Sequence, residues 1–239
     1  MFVLHLNDYV LKTIINDFFG LLYPRLCVIC KASLFGFEAD ICTSCDYKMP
    51  KTNFLSISDN PVARLFWGRA NICFASACYY YFKGGIVQSL IHEIKYKGKP
   101  EIGNNIGCKY GSELKRNNKI GCVDYIVPVP LHKLRQKSRG YNQSIDFAKG
   151  LSKSLGAKIE TRNLVRLTNS TTQTKKTRLD RWYNVVDIFK IQKKELFKHK
   201  HILIVDDVIT SGATLEACTI AMQDIPGIKI SVLGIAVAV

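Results

Sequence analysis

Acidic residues are scarce in this chain. Its 239 residues hold 19 Asp and Glu against 34 Lys and Arg, a formal net charge of +15. An excess of that size favours anionic partners such as nucleic acid, phosphorylated ligands or an anionic membrane, without choosing among them. Long apolar runs are missing too. None reaches the roughly 18 residues that a bilayer-spanning helix needs. Met1 to Leu22 lacks a basic leading segment and a small-residue cleavage site, so it does not read as a signal peptide. There is no internal repeat and no long low-complexity segment.

A hydrophobic fraction of 47% is enough to fill a core. In the first segment, Leu4, Val10, Leu11, Ile14, Ile15, Phe18, Phe19 and Leu22 fall on one helical face, which suggests a docking helix; a membrane-surface helix is the alternative, disfavoured by acids rather than many lysines on the polar face. The nine cysteines are odd in number. Without a secretion signal, they argue for a reducing compartment, and hence a cytoplasmic location, rather than a disulfide framework. Four of them form a metal-like array, and Cys73, Cys78, Cys108, Cys122 and Cys218 are expected to be buried apolar side chains.

Hydrophobic periodicity predicts a strand over Asn71–Phe82 and helices over Ile86–Lys95 and Ile102–Lys115, the last despite its glycines. A more regular alternation follows. Strands are expected over Val123–Val129, Ile159–Leu167, Val185–Ile191, His201–Val205 and Lys229–Val239, with helices over Asn142–Leu155 and Thr214–Gln223. Strands alternating with helices imply an α/β fold, a mostly parallel sheet flanked by helices. Residues 1–50 are expected to form an N-terminal helix and a small cysteine module, and residues 51–239 the α/β domain. Ligands of such sheets bind beyond the carboxyl ends of the strands.

Cys27-x2-Cys30 and Cys42-x2-Cys45 form two knuckles separated by 11 residues. Two thiolates two residues apart can wrap one ion, and two such pairs complete a tetrahedral site. A structural Zn2+ is therefore expected, with no open position for catalysis. An iron–sulfur cluster and redox or unpaired thiols are the competing readings.

The most informative segment is His201-Ile-Leu-Ile-Val-Asp206-Asp207-Val-Ile-Thr210-Ser211-Gly212-Ala213-Thr214. A buried strand leads to two acids, then to a hydroxyl- and glycine-bearing turn that opens a helix. Hydroxyls and helix-start N–H groups make an anion nest for a phosphate. Carboxylates beside a phosphate make sense if they accept hydrogen bonds from sugar hydroxyls. A bare helix-capping turn is the alternative.

Two basic loops are expected at the same sheet edge. One follows the strand at Val129-Pro130-Leu131 and carries Lys133, Arg135, Lys137 and Arg139. Arg grips two oxygens of a phosphate at once, although a solvated turn has the same composition. The other, residues 169–184, is polar and carries Gln173, Lys175, Arg178 and Arg181. It is a candidate lid, or else a plain hairpin tip.

VDDVITSGAT resembles the phosphoribosyl-pyrophosphate signature of type I phosphoribosyltransferases. The resemblance implies ribose hydroxyl contacts for Asp206 and Asp207, and 5′-phosphate contacts for Thr210, Ser211, Gly212, Ala213 and Thr214. VPVPLHKLRQKSRGYNQ, the stretch from Gln173 through Arg181 to Asn184, and Tyr81-Phe82-Lys83-Gly84 with Leu90-Ile91 and Lys95-Tyr96-Lys97-Gly98 are similar to the competence-protein ComF family, as is the cysteine module. By that resemblance Pro130, Leu131, Arg135 and Arg139 belong to a pyrophosphate loop, residues 169–184 to a flexible loop, and Mg2+ accompanies phosphoribosyl pyrophosphate (PRPP). Lys176 departs from the family's usual Leu and makes that loop more basic. The family acts in natural transformation, so single-stranded DNA and proteins of the DNA-uptake machinery are implied partners. Tyr79, Tyr80, Tyr81, Tyr96, Tyr141, Trp182 and Tyr183 suit stacking on bases and equally suit a core. Two functions stay open: a PRPP-binding protein that handles single-stranded DNA, and an active phosphoribosyltransferase with an unidentified acceptor.

Overall fold

The computed structural model describes residues 23–131, 140–167 and 188–239. The expected N-terminal docking helix, Arg135, Arg139, Gln173, Lys175, Lys176, Arg178, Arg181, Trp182 and Tyr183 lie outside the described residues. Backbone contacts divide the chain into two compact units, Met1–Met49 and Pro50–Val239.

Within the first unit, residues 23–49 are loop-rich. An isolated antiparallel bridge pairs Leu26 with Ser33, and one short helix, α1 (Thr43–Lys48), follows Cys42. Cys27, Cys42 and Cys45 are buried and Cys30 is exposed. A segment this small buries little else, so its cysteines are what organise it.

The second unit is built on a parallel sheet. Its elements are α2 (Pro61–Arg64), β1 (Phe74–Tyr81), α3 (Ile86–Tyr96), α4 (Pro100–Asn117), β2 (Tyr125–Pro128), α5 (Gln143–Leu155), β3 (Lys158–Ile159), β4 (Leu164–Arg166), β5 (Phe189–Ile191), β6 (His201–Ile209), α6 (Ala213–Ile220) and β7 (Lys229–Ala238). Five strands lie in the order β1-β7-β6-β2-β3, and every pairing among them is parallel. β7 is buried from Ile230 to Val237, as a strand covered on both faces must be. Ile202, Leu203, Ile204 and Val205 of β6 are wholly buried beside it. The chain leaves β2 outward to β3 and leaves β6 outward in the other direction to β7. The crevice between the carboxyl ends of β2 and β6 is therefore the topological switch point of the sheet.

The glycines of α4 have a packing role. Gly107 sits so close to α5 that a Cβ there would lie 2.3 Å from the Phe147 carbonyl oxygen and 2.9 Å from the Leu151 nitrogen. Gly150 of α5 returns the approach: its Cβ would fall 2.0 Å from the Asn104 oxygen. The two backbones touch where side chains would hold them apart, and the helix propensity lost at glycine is the cost of that approach.

Three expectations are corrected. Ile159–Leu167 is not one strand. Glu160 Oε1 accepts the backbone N–H groups of Arg162 (2.7 Å) and Asn163 (3.0 Å), turning the chain out of the main sheet. β4 beyond that turn pairs antiparallel with β5 in a separate two-stranded sheet. The strand expected to stop at Val205 runs on to Ile209, so both acids lie within β6 rather than past its end. Of the five scattered cysteines, Cys78 and Cys218 are buried, but Cys73 and Cys122 are exposed and Cys108 is intermediate.

Candidate functional site

The four sulfur atoms of Cys27, Cys30, Cys42 and Cys45 lie within 4.8 Å of one another. Cys30 Sγ and Cys42 Sγ are 3.6 Å apart. A tetrahedron with Zn–S bonds of about 2.3 Å has edges of about 3.8 Å, so the arrangement fits one ion. Backbone N–H groups support it: Cys42 N donates to Cys27 Sγ and Cys45 N to Cys42 Sγ, each at 3.4 Å. Burial opposes ionisation of Cys27, yet backbone N–H groups of Cys42, Cys30 and Ile29 outweigh it and bring its pKa to about 6. Cys45 is pushed up by burial and by the neighbouring sulfurs. The cluster could hold a metal cation, whose charge would relieve that repulsion.

Glu38 was missed in the sequence. Its Oε2 accepts from Phe35 N (2.8 Å), and its Oε1 accepts from Thr43 N (2.6 Å) and Thr43 Oγ1 (2.8 Å). These bonds, led by that from Thr43 N, hold its carboxyl below the usual glutamate range. They tie the loop between the knuckles to the first turn of α1. An acid eleven residues after Cys27 carries no local pattern that would have singled it out.

The second site lies at the switch point. A cleft of about 500 Å3 is lined by Asp206, Asp207, Thr210 and Thr214 from the β6–α6 segment, by Val129, Pro130 and Leu131 beyond β2, and by Arg166. The parallel register sets Pro128 opposite Val205, and Val129 N donates to Val205 O at 2.9 Å. Pro130 and Leu131 are thus delivered beside the two acids. Ser211, Gly212 and Ala213 are not among the lining residues; they shape the turn beneath. Gly212 has φ +75°, and a Cβ there would also press on Leu65 at 3.3 Å and the Phe66 ring at 3.4 Å. A left-handed residue packed that closely suits glycine.

The acids are held by several elements. Asp206 Oδ1 accepts from Asp207 N at 2.8 Å and from Ser144 Oγ at 3.4 Å. Ser144 is set by Asn142, whose Oδ1 caps α5 at Ser144 N (3.1 Å) and whose Nδ2 donates to Val129 O (2.9 Å). Burial first, and the Asp207 charge second, push the Asp206 pKa up to about 7 against the opposing hydrogen bonds and Lys95. Asp207 Oδ1 accepts from Val208 N at 2.6 Å, and Lys95 Nζ lies 2.8 Å from its Oδ2.

The far wall was not foreseen. It comes from Tyr81 at the end of β1 and from Gln88, Ile91, His92, Lys95 and Tyr96 of α3. The His92 and Tyr96 rings lie one turn apart with centroids at 4.9 Å. Val87, Leu90 and Ile94 are buried on the opposite side of α3. That amphipathic spacing was legible, but not what its other face would meet. Of the aromatics proposed for stacking, Tyr79 is buried in the core while Tyr96 is exposed.

Residues 125–237 match the model of the phosphoribosyl transferase domain family. The chain is 32% identical over 125 residues to competence protein F of Haemophilus influenzae, an alignment covering 52% of this chain and 55% of that protein. It is 30% identical over 129 residues to the DNA utilization protein YhgH of Escherichia coli K12, covering 53% and 56%. It spans about half the length of the curated relatives it matches. Among solved structures, adenine phosphoribosyltransferase from Leishmania tarentolae aligns at 12% identity and a TM-score of 0.38, over 75% of this chain and 88% of that one. No helix of the described residues is long and apolar enough to cross a membrane.

Proposed function

We propose that this chain, whose residues 125–237 match the phosphoribosyl transferase domain family and which is similar to competence protein F, is a ComF-family protein whose cleft binds PRPP together with Mg2+. One observation carries the reading: two carboxylates on β6, the hydroxyls of Thr210 and Thr214, and the Pro130–Leu131 segment line one cleft at the sheet's switch point. In this reading Asp206 and Asp207 accept the ribose hydroxyls. The Thr210–Thr214 turn takes the 5′-phosphate at the start of α6. Pro130 and Leu131, with Arg135 and Arg139, take the pyrophosphate. Mg2+ would enter with the ligand and would offset the charge of its phosphates. Zn2+ holds the cysteine module together and takes no part in the chemistry.

Calorimetry with PRPP and Mg2+ tests the reading, comparing the wild type with Asp207→Ala. Loss of at least tenfold in affinity is expected, a change of about 1.4 kcal/mol. Equal affinity in both proteins removes Asp207 from the site.

We further propose that the protein handles single-stranded DNA in the cytoplasm, in contact with DNA-uptake proteins; relatives named for competence and DNA utilization and the net charge of +15 support a DNA role. Transfer of phosphoribose to an acceptor is the second reading, favoured by the transferase domain itself. Transfer needs little acid–base chemistry; it needs a clamped leaving group and support for a cationic sugar at the transition state. Pyrophosphate release in the presence of candidate acceptors separates the two.

A further inference from the structure

Three lysines cluster around the end of α3, and they are not equivalent. Lys97 and Lys99 reach back to Glu93, at 2.9 and 3.8 Å. Lys95 instead enters the cleft and meets Asp207 Oδ2 at 2.8 Å, with the lysine side chain 18% exposed and the aspartate 13%. Its position is held from behind. Leu90, Ile91 and Ile94 are buried, and Tyr141 Oη donates to the Ile94 carbonyl oxygen. Lys95 also stands in the last turn of its helix, where the macrodipole favours a cation.

We propose that Lys95 is a specificity-determining latch: it occupies Asp207 until a ligand offers both a ribose diol for the acids and an anionic group at C1 for the ammonium. The inference rests on the cleft being a phosphoribose site. A ribose hydroxyl is a neutral donor. To reach Asp207 Oδ2 it must displace an ammonium from a partly buried carboxylate. Breaking such a pair without a replacement partner is costly, because a charge is left alone in a poorly hydrated place. A diphosphate beside the diol removes that cost, since the ammonium moves from one anion to another. Asp206 Oδ1 is already engaged by Asp207 N and Ser144 Oγ, and the ammonium is paired with Asp207. Ribose 5-phosphate, which has the diol and the 5′-phosphate but no C1 anion, opens the pair with nothing to compensate. The lysine thereby turns separate contacts into a joint requirement, rejecting the ligand that lacks one of them.

The test uses the full chain and calorimetry with Mg2+ and two probes, PRPP and ribose 5-phosphate. Lys95→Met keeps much of the side chain's length and apolar stem but removes the charge. It should bind PRPP more weakly and ribose 5-phosphate more tightly than the wild type, so that the ratio of the two affinities falls at least tenfold. Lys95→Arg should keep the ratio within about threefold. Lys95→Gln repeats the charge removal with a polar head and guards against a folding defect in the Met variant. A side chain that merely supports the fold would weaken both ligands together. Wild-type binding of PRPP with an unchanged ratio in Met and Gln variants overturns the latch alone. Failure of the wild type to bind PRPP overturns the phosphoribose reading and the latch with it.

Discussion

Asp206→Asn should stabilise the ligand-free protein, and only at higher pH. The folded-state carboxyl is raised from 3.8 to about 7, first by burial and then by the charge of Asp207. Between those pH values the folded protein holds a proton that the unfolded chain has released. Stability therefore falls as pH rises from about 4 to about 7, and the deficit persists above. At 1.36 kcal/mol for each tenfold in proton affinity, the deficit reaches about 4 kcal/mol at pH 8. Asn retains an Oδ1 to accept from Asp207 N and Ser144 Oγ, and it carries no charge to bury. For a unit of this size about 4 kcal/mol corresponds to roughly 10 °C in Tm. Calorimetric or near-ultraviolet melts of both proteins at pH 4 and pH 8, without ligand, provide the assay. Little difference is expected at pH 4, and a Tm about 10 °C higher for the variant at pH 8. The same Tm difference at both values would refute the reasoning, since a pH-independent effect cannot come from the cost of ionising Asp206.

Gly107→Ala should destabilise by about 2–3 kcal/mol in urea melts, because the added methyl meets backbone of α5 on two sides and overpacking outweighs a helix-propensity gain of about 1 kcal/mol. Gly103→Ala, whose nearest contact would be an ordinary 3.4 Å, should be neutral or slightly stabilising. Cys42→Ser should abolish the about one zinc per chain that a single four-thiolate site implies, as measured by metal analysis of protein purified without chelator. Single-stranded DNA should bind with an affinity that falls by about 0.7 log units per log of salt for each phosphate neutralised. Lys175→Glu with Lys176→Glu should abolish that binding in fluorescence anisotropy, and no binding by the wild type at moderate salt removes the DNA role.

The chain's order of residues was sufficient wherever chemistry and conformation are local. Cys27, Cys30, Cys42 and Cys45 could be grouped because their spacing already brings thiolates around one point. The strand–acid–turn–helix run at His201–Thr214 was readable because period, charge and a left-handed glycine all occur within fourteen residues. Where a polar side chain ended a strand, the reading failed. Glu160 splits Ile159–Leu167 by capping two N–H groups behind an apolar pattern that still looks continuous. The glycines of α4 read as weaknesses of a helix until α5 was seen to pack against them. The far wall of the cleft needed the fold most of all. Lys95 stands 112 residues before Asp207, and on the sequence it is one basic residue among several near the end of a helix. Only the parallel sheet places α3 above the carboxyl end of β6, and only there does burial make one lysine's choice of partner different from that of Lys97 and Lys99. Local spacing determines what a segment can bind; which distant charge it must share a cleft with is decided by the path of the chain between them.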